Sequence, residues 1–432
     1  MHLKFVIVLS FSIQLWCMAA VSCAYAQDTS SDTLKLSLND AESRFLENNL
    51  QLLIQHYNID NAQAQVVTAK LFPNPDLNFS SSLYNPGTKK FFDYSAGQDE
   101  YTGGISQLFT TAGKRNKNIQ LAKIGVQQAQ YQFFDLLRTL KFELRNDFFM
   151  IYFQQQSAKV YDQEINSLQQ ILKAYQEQYA KGNIAEKEVL RIQSQLYSLK
   201  SELTGLQVGM DTVQSQLKLL IRVKPGTYIQ TQYNYELNGK EVLGNVPYQK
   251  LLDSAYTNRY DLKLARSAVD YNKLNLKLQK ATAIPDVTFS LGYDRRGSFV
   301  NNYNSAGVEF NLPFFNRNQG GIKQARIAID QSNIQLQNQQ DQVESDVSTS
   351  YIIASRYEKV YNSFDPHFKG DFNHLVQEVL KNYQKRNIGL LEFLDFYDSF
   401  KVNTIQFNNI QLSQITSLEQ LNYVTGTPFF NK

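Results

Sequence analysis

Two periodicities alternate along this chain. Residues 77–84 follow period two: Leu77, Phe79, Ser81 and Leu83 oppose Asn78, Ser80, Ser82 and Tyr84. The same alternation returns at Val287, Phe289, Leu291 and Tyr293 against Thr288, Ser290, Gly292 and Asp294. It returns again at Ala306, Val308, Phe310 and Leu312 against Gly307, Glu309 and Asn311. Alternation of this kind predicts strands with one apolar and one polar face. Elsewhere the period is helical. Ile165, Leu168, Leu172, Tyr175 and Tyr179 step by three and four, as do Ile192, Leu196, Leu199, Leu203, Leu206, Met210, Val213, Leu217 and Leu220. That sustained seam predicts a coiled coil. The stretch from 116 to 180 has no proline, so one helix of about 98 Å is expected at 1.5 Å per residue. A first helix is expected from Leu38 to Leu71, ended by Pro73 and Pro75. In the second half, helices are expected from Gly321 to Gln384 and from Leu390 to Tyr423. Turns are expected at Asn85-Pro86-Gly87 and Asn301-Asn302.

The pattern occurs twice. Pro75-Asp76-Leu77-Asn78-Phe79-Ser80 matches Pro285-Asp286-Val287-Thr288-Phe289-Ser290 at an offset of 210. Tyr179, Lys181, Asn183, Ile184, Glu188 and Leu190 match Tyr383, Lys385, Asn387, Ile388, Glu392 and Leu394 at 204. The offset falls between Phe79 and Gly104, which predicts a loop of variable length there. The chain therefore divides into a repeat at 34–223, a polar linker or equatorial segment at 224–246, and a second repeat at 247–432. Each reads helix, two strands, very long helix, turn, long helix.

Residues 1–26 form a secretory signal. Lys4 precedes an apolar run, and Ala24-Tyr25-Ala26 offers a cleavage site. A lipidated Cys23, after Ala20-Val21-Ser22, is the rival reading. Both cysteines, Cys17 and Cys23, fall in this segment, so disulfide and thiol chemistry are absent from a chain starting at Gln27.

Composition sharpens the picture. Hydrophobic residues make up 43 % of the 432 residues but charged ones only 19 %, with Gln, Asn, Ser and Tyr filling the gap. Disorder is excluded by 26 Tyr and 28 Phe. Past the signal no run of about 18 apolar residues occurs, so a helical membrane protein is excluded. A net charge of +3 argues against nucleic acid as a partner. The histidines and methionines show no metal-ligand spacing, so no metal site and no cofactor are expected. Neither a nucleophile elbow nor a convergent carboxylate pair appears, so no catalytic residue is assigned. Four strands cannot close a barrel, and an open edge cannot face lipid. Several chains contributing four strands each would meet both needs, and three would give twelve strands.

At this point the chain resembles the TolC family of outer-membrane efflux ducts over nearly its whole mature length. Leu38-Asn39-Asp40-Ala41 with Asn48-Asn49-Leu50 resembles the family's opening. Asn258-Arg259-Tyr260-Asp261-Leu262 resembles its second-repeat counterpart, with Tyr260 where proline is usual. Ser106-Gln107 followed by Gly113-Lys114-Arg115 resembles a segment of the heavy-metal branch, the CzcC-like and CusC-like proteins. Tyr179-Ala180-Lys181-Gly182 and Tyr383-Gln384-Lys385-Arg386 resemble the tip motif, with Arg386 replacing glycine. Gly426-Thr427-Pro428 resembles the closing motif, and its counterpart Val223-Lys224-Pro225 lacks the glycine.

The resemblance implies a mainly α fold with a β-barrel part: a periplasmic tunnel of antiparallel coiled-coil helices and a homotrimeric 12-stranded barrel in the outer membrane. It implies a passive duct, not an enzyme. Its partners would be a periplasmic membrane-fusion adaptor, an inner-membrane transporter of the RND type and outer-membrane lipid, with heavy-metal cations as cargo. Leu77, Phe79, Val287, Phe289, Leu291, Val308, Phe310 and Leu312 would face lipid. Glu392 and Asp395 would ring the periplasmic entrance, although two solvated carboxylates give the same i, i+3 spacing. Tyr179, Gly182, Asn183, Ile184, Tyr383, Arg386, Asn387 and Ile388 would form the tip turns and gate. Gly182 and Asn183 are expected to adopt a left-handed turn. Lys114, Arg115 and Lys117 are expected in local ion pairs or at the membrane boundary. A type I secretion duct, a multidrug duct and a structural coiled-coil tether are the competing readings.

Overall fold

The structure is a computed structural model of the 432-residue chain. It describes residues 32–95, 100–233, 242–297, 299–365, 368–385 and 387–430. The signal segment with Cys17 and Cys23, and Arg386 at the second tip, lie outside the described residues.

The first repeat runs β1 (Thr33–Ser37), α1 (Leu38–Asn48), α2 (Leu50–Lys70), β2 (Asp76–Ser81), β3 (Tyr84–Asn85), β4 (Lys90–Phe91), β5 (Tyr101–Phe109), α3 (Lys114–Ala180) and α4 (Glu186–Ile221). After β6 (Tyr228–Gln232), the second runs α5 (Tyr248–Asn258), α6 (Tyr260–Thr282), β7 (Val287–Arg296), β8 (Asn301–Phe310), α7 (Gln319–Asn362), α8 (Phe368–Gln384) and α9 (Leu390–Thr425). Helix α3 has 67 residues, which makes it about 100 Å long.

Four expectations need correction. The helix expected over Leu38–Leu71 is two helices. Asn49 interrupts it in an extended conformation, and its side-chain oxygen accepts from the N–H groups of Gln51 and Leu52, which caps α2. The helix expected over Gly321–Gln384 ends at Asn362. Pro366, four residues on, lacks the N–H that would extend the ladder. Asn301 and Asn302 do not form the turn: they open β8, with Asn301 paired to Arg296. The segment 224–246 is not only a linker, because β6 pairs in parallel with β1 over Thr33–Ser37. Two buried glutamines hold β6 in place. Gln155 of α3 donates to the Ile229 carbonyl and accepts from the Thr231 N–H, and Gln214 of α4 accepts from the Ile229 N–H.

The main sheet is antiparallel, with the order β2-β5-β7-β8. Between β2 and β5 the variable loop carries the β3–β4 hairpin, whose turn is an Asx turn from Asn85 to the Gly87 N–H. Three apolar cores line the helical part. One joins α1, α3, α4, β1 and β6 around Phe45, Phe148 and Phe149. A second holds α3, α4, α8 and α9 together around Leu168, Leu199 and Phe393. The third joins α5, α6, α7 and α9 around Leu251, Val343 and Leu421. No described helix is long and apolar enough to cross a membrane.

Candidate functional site

The sheet behaves as a wall with two unlike faces. The register sets Leu77 opposite Ile105, Ile105 opposite Leu291, Phe109 opposite Val287, Val287 opposite Phe310, and Phe289 opposite Val308. Partners across a ladder share a face. Seven of the expected apolar positions therefore lie on one side, and Leu312 follows Phe310 two residues beyond the end of β8. Leu77 is 82 % exposed and Phe79 70 %. The opposite face carries Asp76, Asn78, Ser80, Thr102, Gly104, Ser106, Thr288, Ser290, Gly292, Ser305, Gly307 and Glu309. Strands β2 and β8 each have one paired neighbour among the described residues, so both outer edges present unpaired backbone groups.

The base of the wall is tied to the helices by the basic segment. Lys114 donates to Asp286 at 2.8 Å and to the Ile284 carbonyl at 2.6 Å. Arg115 donates to the Lys70 carbonyl and lies 4.2 Å over the Phe72 ring. Lys117 returns to the Ala112 carbonyl at 2.6 Å. Burial pushes the Asp286 carboxyl up, but hydrogen bonds from Lys114 and Thr111 overcome this and hold it below its ordinary value. These cations are local staples between strand and helix.

At the far end, the α3–α4 and α8–α9 turns are built alike. Asn183 N–H donates to the Gln178 carbonyl at 3.0 Å, and its side-chain amide donates to the Gln178 side chain at 2.8 Å. Asn387 does the same to Asn382 at 2.9 and 3.1 Å. Only Gly182 of the first turn is left-handed (φ +75°); Asn183 is not. Ile388 packs against the α3–α4–α8–α9 core, and Ile184 is half-buried. Tyr179 stays 45 % exposed, whereas Tyr383 is buried. The Tyr383 hydroxyl donates to that of Tyr175 at 2.6 Å, and its ring stacks on Phe393 at 4.4 Å. Burial, reinforced by Tyr175, raises its pKa. Tyr383 is thus committed inside the protomer. Glu392 and Asp395 are exposed on the first turns of α9, and Glu392 lies where a helix N-terminus favours a carboxylate.

Sequence reasoning missed two charged clusters. At the second-repeat elbow, Arg259 lies between Asp261 (2.6 Å) and Asp346 (2.8 Å). Within the coiled coil, Glu164, Glu202, Asp398 and Lys401 come together. The available signal was a charge on a heptad seam: Glu164 precedes Leu168 by four, and Lys401 follows Tyr397 by four. Among the described residues, no three of His, Cys, Asp and Glu gather as a metal site would need.

Residues 42–221 match the model of a family described as outer membrane efflux protein. The cobalt-zinc-cadmium resistance protein CzcC of Cupriavidus metallidurans is 22 % identical over 290 residues. That match spans 67 % of this chain and 66 % of CzcC, just under two thirds of the relative's length. The Campylobacter jejuni CmeC outer membrane channel superposes with a TM-score of 0.71 at 15 % identity, over 90 % of this chain and 86 % of that one. CusC gives 0.71 at 16 % identity, over 90 % and 92 %. VceC of Vibrio cholerae gives 0.69 at 16 % identity, over 91 % and 96 %. These likenesses share the fold: a helical body carrying a small sheet.

Proposed function

We propose that the chain is an outer membrane efflux protein, of which three copies form a passive duct across the outer membrane. One observation carries the reading. A four-stranded sheet with an exposed apolar face, a polar face and two open edges is satisfied by lipid outside, water inside and a neighbouring copy at each edge. Twelve strands are within the range of known barrels. The helical body, about 100 Å long in α3, extends into the periplasm.

The duct does no chemistry. It conducts what an inner-membrane pump, RND-type, delivers through a periplasmic adaptor. The kinship with CzcC, a cobalt-zinc-cadmium resistance protein, supports divalent heavy-metal cations as cargo. The exposed Glu392 and Asp395 of three copies would form an anionic ring at the entrance, which favours cations. Tyr179, Ile184, Gly182, Asn183, Asn387 and Ile388, with Arg386 beside them in sequence, make up the tips.

Purified protein in a planar bilayer tests this. A trimer that passes cations over anions, and loses that preference in a Glu392→Gln, Asp395→Asn double variant, is expected. A monomer without conductance would overturn the reading.

A further inference from the structure

Three carboxylates gather near a single ammonium, which pairs with two of them, where α9 packs across the α3–α4 hairpin. Lys401 of α9 is 5 % exposed. Its Nζ lies 3.0 Å from Glu202 of α4 and 3.0 Å from Asp398 of its own helix. Glu164 of α3 is 2 % exposed, and its Oε2 is sealed from solvent with no hydrogen-bond partner among the described residues. Tyr161 on the same helix and Tyr397 on α9 flank the cluster. Helix α8 adds Val376, Val379 and Tyr383, with Leu380 partly buried, to this core.

Lys401 already serves two carboxylates. If Glu164 were ionised, it would be a buried third negative charge beside two part-exposed carboxylates, with no counter-charge of its own, and isolated buried carboxylates avoid that state by keeping a proton. Burial, with Asp398 and Glu202 adding to it and Lys401 opposing, pushes Glu164 up to about 8. For Lys401, burial works against the charge, but Asp398 and Glu202 more than compensate and hold its pKa above the ordinary value.

We infer that Glu164 is a proton-holding latch between the two repeats: its neutral carboxyl lets α9 close on the α3–α4 hairpin, and loss of the proton loosens that contact. The sign follows from linkage. A carboxyl whose folded pKa is raised contributes stability that is complete below the ordinary carboxylate range and is lost as pH rises through about 8. Helix α9 also carries Glu392 and Asp395, so loosening it would free the entrance. This consequence rests on the duct reading; the latch itself does not.

Infrared difference spectra of the detergent-purified protein between pH 6 and 10 test the latch. The expected result is a protonated-carboxyl component that titrates with a midpoint near 8, separate from that of Asp147, which burial raises only to about 7, and that is missing in Glu164→Gln. The thermal midpoint of the wild type should fall across the same interval more steeply than that of Glu164→Gln, in which Asp147, raised by burial to about 7, still titrates. Lys401→Gln removes the opposing cation and should move the band's midpoint up by at least one pH unit. No such band at pH 7, a band that Lys401→Gln does not move, or identical thermal pH profiles for wild type and Glu164→Gln would each overturn the proposal. Bilayer conductance at pH 7 and 9 separates the two readings. A titrating band in a protein that never conducts leaves the latch standing and removes the duct.

Discussion

The two repeats bend their first helix at equivalent positions but hold the bend with different chemistry. Asn49 and Arg259 lie at the offset of 210 seen in the sequence. Asn49 donates to the Leu220 carbonyl at 3.0 Å, and Arg259 reaches the Val424 carbonyl at 3.5 Å. Those carbonyls are themselves equivalent, 204 residues apart. The first elbow is neutral and locally capped. The second is an ion cluster of Arg259, Asp261 and Asp346, with Arg138 of α3 at 3.6 Å from Asp261. The helix ends facing the elbows differ too. Arg222 and Gly426 both adopt the left-handed conformation, at φ +55° and +64°. The following N–H returns to Lys218 in one case and Asn422 in the other. Pairing by sequence set Val223 against Gly426; the hydrogen bonds pair Arg222 with it. One architecture can therefore be closed by a neutral cap or by an ion network, provided the same carbonyl is reached.

Arg259→Ala should break the comparison most sharply. It leaves Asp261 and Asp346 facing each other in a half-buried site, at a cost of about 3 kcal/mol, read as a lowered thermal midpoint of the purified protein. Asn49→Ala removes a cap and one buried hydrogen bond, so its loss should be smaller, about 1–2 kcal/mol. Equal losses would show that the ion cluster adds nothing.

Acid should separate the elbows as well. Burial raises the Asp261 carboxyl, but hydrogen bonds and charge from Arg259, with Arg138 behind it, hold it below its ordinary value. A depressed carboxyl contributes stability above its ordinary pKa and loses it as pH falls through the folded one. Asn49 carries no proton to exchange. Below pH 4, Asn49→Ala should therefore stay less stable than the wild type by a constant amount, while the deficit of Arg259→Ala shrinks. Parallel pH profiles would contradict this.

The helix ends offer a finer test. A Cβ on Gly426 would sit 3.3 Å from both the Arg259 nitrogen and the Asn258 carbonyl carbon. Gly426→Ala should therefore destabilise by at least about 1 kcal/mol, from left-handed strain plus this contact. Arg222→Gly relieves the same strain and should stabilise by about 0.5–1 kcal/mol. The tip asparagines should show the least difference. Asn183→Ala and Asn387→Ala each remove one exposed side-chain hydrogen bond, and paired thermal midpoints should agree within about 0.5 kcal/mol.

Much of this molecule was legible before any coordinates. Period two picked out three of the four main strands and their apolar positions, and period 3.5 picked out α3 and α4, because those signals are carried by many residues at once; the repeat then implied β5 and α9. The breaks were not. Asn49 and Arg259 look like ordinary polar residues inside a helical pattern, and each acts as a break only because a carbonyl from a distant helix end waits to be bonded. β1 and β6 were missed for the same reason: five residues each are too short to show a period, and buried Gln155 and Gln214 complete their hydrogen bonding. The expected gate residue Tyr383 is buried against Tyr175 and Phe393, partners that its own segment does not reveal.

The sequence by itself determined the repeat, the faces of its strands and the length of its helices, all local properties repeated often enough to read. The tertiary structure decided which charges are buried. Glu164, Glu202, Asp398 and Lys401 are spread over 238 residues, and no local pattern joins them. Only the crossing of α9 over the α3–α4 hairpin removes water from Glu164 and Lys401 while leaving Glu202 and Asp398 part-exposed beside them, and that desolvation turns ordinary charged side chains into a coupled site.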